Sequence, residues 1–393
     1  MLVADGMGDR PIPELGDKTP LEVAPTPNMD YLARIGLVGL CRTVPPELAP
    51  GSDVANMALL GADPLLYHKG RGPIEAAAQG LDLEKDDLIW RLNLVRVSSF
   101  DPNGLMRDYA GGHINSQTAH SLLHEIEKYI PSGFKLVPGF QYRHLLIQKN
   151  GVQSPEANWS ITPPHDLIDS QIASDLQIIA KNPRLWQFLE YSAKFLQATE
   201  YSMQTNALWP WGQGPSLSLP KFTEKFAWQG AVVSAVDLIK GLGRASGMQV
   251  LNIAGATGRL DTDYQGKVDA ALSFLQDGNF VFLHVEAPDE ASHNGDIEQK
   301  IEAISRFDTH IVGPLLDKLK DESVAYLITC DHLTPIEVCN HTHDPVPFLL
   351  ACPGKKKKKK NNYFNEAEAR DSEIFIAKGQ DLLPWAQNVL NKL

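Results

Sequence analysis

The stretch LITCDHLTP, residues 327–335, ends an apolar run with an aspartate beside a histidine, Asp331 and His332. The run AYLIT that leads into it is typical of a buried β-strand. An Asp-His pair at a strand end is compatible with a surface turn or with a buried, satisfied ion pair. In open α/β sheets, however, ligands bind outside the carboxyl ends of the strands. A functional role for the pair is therefore favoured if other predicted strands end in similar residues.

Two further predicted strands do end in such residues. Asp5 closes the first apolar run, in DGMGD, and Asp289 follows the apolar run FVFLHVEAP. His293 comes four residues after Asp289, and this spacing places both side chains on one face of a helix. His341, in HTHDPVPF, follows Asp331 and His332 after a short loop. Carboxylates and imidazoles from separate strand ends are thus predicted to converge.

The predicted cluster contains three aspartates and three histidines. This number exceeds the three or four protein ligands that usually hold one metal ion. Two divalent ions are the natural expectation, and paired ions suit phosphoryl chemistry. Mixed oxygen and nitrogen ligands suit Mn²⁺, Zn²⁺ or Co²⁺ better than Ca²⁺ or Mg²⁺ alone. We predict two divalent ions, with Mn²⁺ preferred and Zn²⁺, Co²⁺ or Mg²⁺ as alternatives.

Ser52, in PGSDVANMALLG, is the candidate nucleophile. Gly51 permits a tight turn before it, and a predicted helix begins immediately after. A helix N-terminus also offers free N–H groups to a phosphate. The alternative is an ordinary N-cap serine, which is common. The predicted metal ligands favour the catalytic interpretation, because a hydroxyl bound to a divalent metal loses its proton more easily.

The order of predicted elements indicates an α/β core with an insertion. Apolar strands alternate with helices in residues 1–82 and again in 222–393. Such alternation is typical of a mostly parallel sheet that is covered on both faces. Residues 83–221 instead contain short alternating segments, which predict an inserted α+β domain. WPWGQGP, residues 209–215, is interpreted as a packed hinge or a rigid linker.

Composition excludes several classes of protein. The chain has 393 residues, 43% of them apolar, and a net charge of −12, which argues against nonspecific binding to nucleic acid. No apolar run is long enough to predict a membrane span, and no leader-like pattern predicts secretion. The four cysteines, at positions 41, 330, 339 and 352, form no Cys-x-x-Cys pair, which predicts reduced thiols in a cytoplasmic protein. The lysine run 355–360 predicts a solvated loop, with the steering of an anionic substrate as an alternative.

Several of these motifs together resemble a known family. They are DGMGD, GDKTPLEVAPTPNMDYLA, PPELAPGSDVANMALLGADP, GRGPIEAAAQG, GATGRLDTDY, HVEAPDEASHNGD, CDHLTP and HTHDPVPF, and they span most of the chain in order. The chain resembles the archaeal-type cofactor-independent phosphoglycerate mutases of the alkaline phosphatase superfamily. The resemblance implies an alkaline-phosphatase-like, three-layer core.

The resemblance also implies a role for each matched residue. One ion would be held by Asp289, His293 and His341, and the other by Asp5, Asp331, His332 and the Ser52 hydroxyl. Ser52 would take the phosphoryl group from 3-phosphoglycerate, and the bound glycerate would turn and receive it at its 2-position. No 2,3-bisphosphoglycerate would be needed.

A phosphorylated small-molecule substrate needs cationic partners for its phosphate and carboxylate, and the inserted domain is expected to close over it. The candidate substrate-binding residues are Arg71, Arg91, Arg143 and Lys240, with His165 and Asp166 for the glycerate hydroxyls. Lys240 stands where the wider mutase family places a lysine that contacts phosphate. The alternative for each arginine is an ordinary surface ion pair.

Two other activities remain open from the sequence. A kinase for a small hydroxy-amino acid such as homoserine is compatible with the superfamily, although no Gly-x-x-x-x-Gly-Lys-Ser/Thr loop is present. A phosphatase or phosphodiesterase would result if water reached a phosphorylated Ser52. A binding module without catalysis would leave the ligand set without a purpose. The oligomeric state is left open.

Overall fold

The computed structural model describes residues 1–81, 83–355 and 362–392. The chain divides into two compact units, which we call the core unit (Met1–His68 and Ser218–Leu393) and the insert unit (Lys69–Leu217). The units meet after His68 and after Leu217, before the boundaries that we predicted after residues 82 and 221. Apart from Lys355, the lysine run lies outside the described residues, so the prediction made for it stays a prediction.

The strands and helices are numbered in chain order. The strands are β1 Leu2–Ala4, β2 Leu37–Cys41, β3 Leu88–Val97, β4 Met106–Asp108, β5 Phe134–Val137, β6 Arg143–Gln148, β7 Ala207–Pro215, β8 Gly230–Val233, β9 Gln249–Leu251, β10 Phe280–Val285, β11 Tyr326–Thr329, β12 Val346–Ala351 and β13 Phe375–Ile376. The helices are α1 Pro20–Val23, α2 Pro27–Ile35, α3 Ser52–Leu59, α4 Pro64–Tyr67, α5 Arg71–Ala78, α6 Ser116–Glu127, α7 Ala173–Ile179, α8 Pro183–Gln197, α9 Phe222–Phe226, α10 Asp237–Ala245, α11 Tyr264–Phe274, α12 Ala287–His293, α13 Ile297–Phe307, α14 Gly313–Lys318, α15 Glu366–Arg370 and α16 Leu382–Leu390.

The core unit is built on one sheet of eight strands in the order β13-β2-β12-β11-β1-β10-β8-β9. Every residue of β1, β8, β10, β11 and β12 is buried, so both faces of the sheet are covered. The pairs from β11 through β1, β10 and β8 to β9 are parallel. The predicted α/β class with a mostly parallel sheet is confirmed.

Strand β12 is the exception, because it runs antiparallel to both β11 and β2. The connection from β11 to β12 contains no helix in the described residues. Without a helical crossover the chain returns beside the strand it has just left, and the pairing is antiparallel. That connection is the segment that contains His341.

The central strands place the predicted ligands at one edge. Strand β1 lies between β10 and β11, with Leu2 in register with Leu283 and with Ile328. The three strands are parallel, so the residues that follow them emerge at the same edge of the sheet. Asp5 follows β1, Asp331 follows β11, and α12 follows β10.

The insert unit contains an antiparallel sheet in which β3 pairs with β4, β6 and β7, and β5 pairs with β6. The interpretation of residues 209–215 as a hinge or linker was wrong, because they belong to strand β7. Trp209 is fully buried, and its indole N–H donates to Thr162 O at 3.0 Å. The large apolar side chains therefore serve as sheet core.

In the described ranges, no helix combines the length and the apolar character that crossing a membrane would require.

Candidate metal centre

Asp289, His293 and His341 form the first group of donors. Asp289 and His293 lie in α12 at the predicted four-residue spacing, and His293 Nε2 is 3.1 Å from Asp289 Oδ2. His341 Nε2 lies 3.6 Å from Asp289 Oδ1 and 3.0 Å from His293 Nε2. The Nδ1 atom of His293 lies 2.9 Å from Cys339 O, which can accept its proton and leave Nε2 to face the group. The three side chains can hold one cation.

Asp289 and His293 shift each other's pKa values. Burial by itself would raise the pKa of Asp289, but the imidazoles of His293 and His341 beside it hold that pKa well below its ordinary value. In return, the hydrogen bond to Asp289 raises the pKa of His293 to about 9. The carboxylate is thus ionised and attracts positive charge, which a divalent ion can supply in place of the proton on His293.

Asp5, Asp331, His332 and Ser52 form the second group. Ser52 begins α3, and its Oγ lies 3.0 Å from His332 Nε2. The same nitrogen lies 3.4 Å from Asp331 Oδ2 and 3.6 Å from Asp5 Oδ1. Both aspartates and the histidine are buried. The group combines two carboxylates, an imidazole and a hydroxyl.

Asp5 gives the clearest indication that this group suits a cation. Burial raises its pKa, and the nearby charges of Asp331 and Asp289 raise that pKa further. Asp5 Oδ1 is buried and has no hydrogen-bond partner among the described residues. A buried carboxylate oxygen without a partner is costly unless a cation compensates it. The donors present therefore fit divalent ions.

Asn56 belongs to this site, although the sequence analysis did not predict it. Its Nδ2 donates to Asp331 Oδ2 at 2.7 Å and to Ser52 O at 2.9 Å. The other oxygen of Asp331 accepts from the backbone of Gly6 and His332. Only its spacing could have indicated Asn56 in the sequence, since it follows Ser52 by one helical turn and so lies on the same face of the helix.

Thr334 joins the two groups of donors. Its hydroxyl donates to Asp289 Oδ1 at 2.6 Å and lies 3.1 Å from His332 Nδ1. A threonine that contacts one side chain of each group orients both. It stands in the quoted stretch CDHLTP, but only the fold brings it to Asp289.

Lys300, also missed by the sequence analysis, connects the loops that carry the ligands. This fully buried residue of α13 donates from Nζ to Gly8 O at 3.1 Å, Asp9 Oδ2 at 2.7 Å and Thr334 O at 2.9 Å. Asp9 in turn accepts from the backbone of Ile336. The loop after β1 is thereby tied to the loop after β11.

The predicted substrate residue of the core unit, Lys240, lies in α10 and pairs with Asp237 at 3.3 Å. Lys267, which the sequence did not single out, lies close enough to Lys240 for the two positive charges to repel each other. Burial lowers the pKa of Lys267 to about 8, and its Nζ donates to His284 O at 3.0 Å.

The other predicted substrate residues lie in the insert unit. Arg91 is buried, forms an ion pair with Glu75 and lies over the Trp211 ring at 5.2 Å. Burial lowers the pKa of Arg91, and the charges of Arg71 and Arg143 also act to lower it, so the insert unit gathers three guanidinium groups. We call Arg71, Arg91 and Arg143 the arginine cluster.

Arg143 lies against two aromatic rings. It lies over the rings of Tyr142 at 5.4 Å and Phe140 at 5.8 Å and forms no ion pair with the described residues. His165 lies 5.6 Å from the Trp211 ring and has Asp166 beside it at 3.6 Å. Burial lowers the pKa of His165, and the Asp166 charge opposes this shift.

Comparisons with known proteins are consistent over the length of the chain. Residues 1–392 match the metalloenzyme superfamily. The chain is 41% identical to the 2,3-bisphosphoglycerate-independent phosphoglycerate mutase of Methanothrix thermoacetophila, over 98% of this chain and 97% of that protein. It is 35% identical to the enzyme of the same name from Pyrococcus furiosus, over 100% of this chain and 97% of that protein.

Solved structures agree. A protein from Pyrococcus horikoshii matches with a TM-score of 0.82 and 31% identity, over 100% of this chain and 97% of that one. The cofactor-independent phosphoglycerate mutase of Thermoplasma acidophilum matches with a TM-score of 0.65 and 24% identity, over 100% of this chain and 98% of that one, and shares the fold.

Proposed function

Since the chain belongs to the metalloenzyme superfamily and, within it, to the family of the 2,3-bisphosphoglycerate-independent phosphoglycerate mutases, we propose that it interconverts 3-phosphoglycerate and 2-phosphoglycerate. The observation that carries this proposal is the position of Ser52 Oγ, 3.0 Å from His332 Nε2, at the edge of the sheet where the carboxylates and imidazoles gather. The substrate is a small phosphorylated acid, and no 2,3-bisphosphoglycerate takes part.

Two divalent ions are proposed as the resident metals, with Mn²⁺ preferred. Asp289, His293 and His341 would hold one ion. The other would be held by Asp5, Ser52, Asp331 and His332. Bound there, the ions would lower the pKa of the serine hydroxyl and offset the negative charge of the phosphoryl group. The support is the mixed donor set and the unpartnered oxygen of Asp5.

In the first step, Ser52 Oγ attacks the phosphorus of 3-phosphoglycerate. The new bond joins Oγ to phosphorus, and the bond from phosphorus to the 3-oxygen breaks. The proton lost by the serine hydroxyl ends on the 3-oxygen of the released glycerate. Asn56 holds the backbone carbonyl of Ser52 and the carboxylate of Asp331, which keeps the nucleophile aligned with its neighbours.

In the second step, glycerate turns without leaving, and its 2-oxygen attacks the phosphorus of phosphorylated Ser52. The bond from Oγ to phosphorus breaks, and the proton of the 2-hydroxyl returns to Ser52. The phosphoryl group thus passes from the substrate to Ser52 and back to the same glycerate molecule. Water must be kept out between the two steps, because it would convert the same intermediate into phosphate and glycerate.

The arginine cluster is proposed to bind the anionic groups of the substrate. Guanidinium groups bind carboxylate and phosphate through paired N–H donors. Arg143 is our first candidate for this role because no described carboxylate pairs with it, whereas Arg91 already pairs with Glu75. Arg71, His165, Asp166 and Lys240 stay candidates.

The kinase and phosphatase alternatives receive no support from the two sequence relatives reported above, since both are named as mutases. A cytoplasmic location remains our proposal. All four cysteines are free, and Cys41, Cys330 and Cys352 are buried. Such thiols are compatible with a reducing compartment.

The test is an assay of the purified chain with 3-phosphoglycerate and Mn²⁺, without 2,3-bisphosphoglycerate. Parallel reactions contain homoserine with ATP, and a simple phosphate ester. We expect 2-phosphoglycerate to form only in the first reaction and chelation to abolish it. Phosphate transfer only from ATP to homoserine, or release of free phosphate as the main product, would overturn the proposal.

A further inference from the structure

His284 is a buried imidazole that the mechanism above does not use. It lies in β10, in register with Val3 of the neighbouring β1, and is fully buried. Its Nε2 lies 3.2 Å from Asp5 Oδ2, whereas the other oxygen of Asp5 lies nearest His332, at 3.6 Å. The Asp5 carboxylate thus has one imidazole near each oxygen.

The contact between His284 and Asp5 is not a formed hydrogen bond. His284 Nε2 has no hydrogen-bond partner among the described residues, and neither has Asp5 Oδ1. A buried ring nitrogen and a buried carboxylate oxygen that both lack partners are costly. A cation beside them would satisfy both atoms at once.

The positions of the donors fit such a cation. Atoms of Asp5, His284 and Asp331 all lie within 4.8 Å of one another. Ligands bonded to one metal at about 2.0–2.2 Å lie at most about 4.4 Å apart, which small side-chain rotations would reach. We propose that His284 Nε2 is an additional ligand of the ion held by Asp5 and Asp331, an inference that rests on the proposed two-ion centre.

The surroundings of the other ring nitrogen support this role. Nε2 can bind a metal only if Nδ1 carries the proton, and metal-binding histidines usually donate that proton to a neighbouring acceptor. His284 Nδ1 lies 3.4 Å from Ser234 Oγ. If Nε2 carried the proton instead, His284 would only orient Asp5. The two arrangements differ in the number of imidazoles bound to metal.

The first experiment counts those imidazoles in the unaltered protein. The full chain is stripped of metal, loaded with two equivalents of Co²⁺ and measured by X-ray absorption spectroscopy without substrate. We expect four imidazoles over two ions, from His284, His293, His332 and His341. Three imidazoles would overturn the proposal, as would binding of no ion at Asp5.

The second experiment measures Mn²⁺ affinity by calorimetry. His284→Gln should weaken the binding of one of the two ions by at least the 10- to 100-fold that losing a merely orienting residue costs, and it should also lower the imidazole count by one. The matched control is His144→Gln, which alters a buried histidine of the insert unit and should leave both affinities unchanged. Unchanged affinities in His284→Gln, or a loss of affinity with an unchanged count, would overturn the proposal.

If His284→Gln does not fold, the count in the unaltered protein decides. Neither measurement uses substrate. A chain with four bound imidazoles and no mutase activity would therefore contradict the proposed function alone.

Discussion

Ser52 Oγ and His332 Nε2 lie 3.0 Å apart although 280 positions separate the two residues in the chain. The helix that begins at Ser52 and the loop after β11 meet at this contact. A hydrogen bond from Asn56, on the next turn of the helix, to Asp331 in the loop joins the two segments a second time. The proposed nucleophile is therefore placed by the same side chains that are proposed to hold a metal.

Ser52→Ala should abolish interconversion of the two phosphoglycerates, because loss of an essential nucleophile costs orders of magnitude in rate. Metal content should be largely kept, since Ser52 is one of several donors. Kinetics and elemental analysis check both points, with the exposed Ser132→Ala as the control. Mass spectrometry of the unaltered enzyme quenched with substrate should find phosphate on Ser52. Near-normal activity in Ser52→Ala would exclude the phosphoserine mechanism.

Asn56→Ala should lower kcat by about 10- to 100-fold, the usual effect of losing a side chain that orients a metal ligand. The variant removes the hydrogen bonds to Asp331 Oδ2 and to the Ser52 carbonyl. Steady-state kinetics at saturating Mn²⁺ and a metal titration measure the effect. Asn103→Ala, in an exposed loop, should change neither quantity. An Asn56→Ala enzyme with ordinary kcat and metal affinity would show that this contact has no role.

Lys300→Met should destabilise the metal-free protein by about 3–5 kcal/mol, because it leaves the buried charge of Asp9 without its partner. Asp9→Asn should also destabilise it. The double variant should lose less free energy of unfolding than the two single variants lose in sum, since it removes both charges together. Urea denaturation of the metal-free proteins provides the three free energies of unfolding. Strict additivity would mean that Lys300 and Asp9 do not act as a pair.

Metal binding at Asp289 should become weaker as the pH falls below about 9. In the metal-free protein the hydrogen bond to Asp289 raises the pKa of His293 to about 9, so its imidazole holds a proton below that pH. The ion must displace this proton, and affinity should fall about tenfold per pH unit from pH 9 towards pH 7. Calorimetry in buffers of different ionisation enthalpy measures the proton release.

The stability of the metal-free protein should depend on pH in the opposite direction to the metal affinity. A pKa raised above the ordinary value means that the His293–Asp289 interaction stabilises the fold fully below about pH 6.5 and is lost as the pH rises through about 9. His293→Gln should remove both this dependence and the released proton. Release of no proton by the unaltered protein at pH 7 would contradict the assignment.

Arg143→Ala should raise the KM for 3-phosphoglycerate about tenfold or more, since it removes a guanidinium that no described carboxylate neutralises. Arg143→Lys should restore only part of the affinity, because an ammonium lacks the paired N–H donors. The control is Arg107→Ala, which removes an exposed arginine of the same unit that pairs with Asp169. Equal KM values for Arg143→Ala and Arg107→Ala would remove Arg143 from the substrate site.

Local features of the sequence predicted much of the core unit. The alternation of apolar strands and helices predicted the mostly parallel sheet, and the four-residue spacing predicted that Asp289 and His293 share one face of α12. The residues of WPWGQGP were misjudged because their pairing partner, β3, lies more than 100 positions away. Only that pairing makes them a buried strand.

The sequence by itself determined which residue types stand at the ends of the core strands, because apolar runs and helical spacing are patterns of neighbouring residues. The tertiary structure alone decided which other side chains reach them. Asn56, His284, Lys300 and Thr334 look like ordinary core or helix residues in the sequence. They reach the site because the order and register of the strands bring residues from distant parts of the chain to one edge of the sheet, and no local pattern encodes that register.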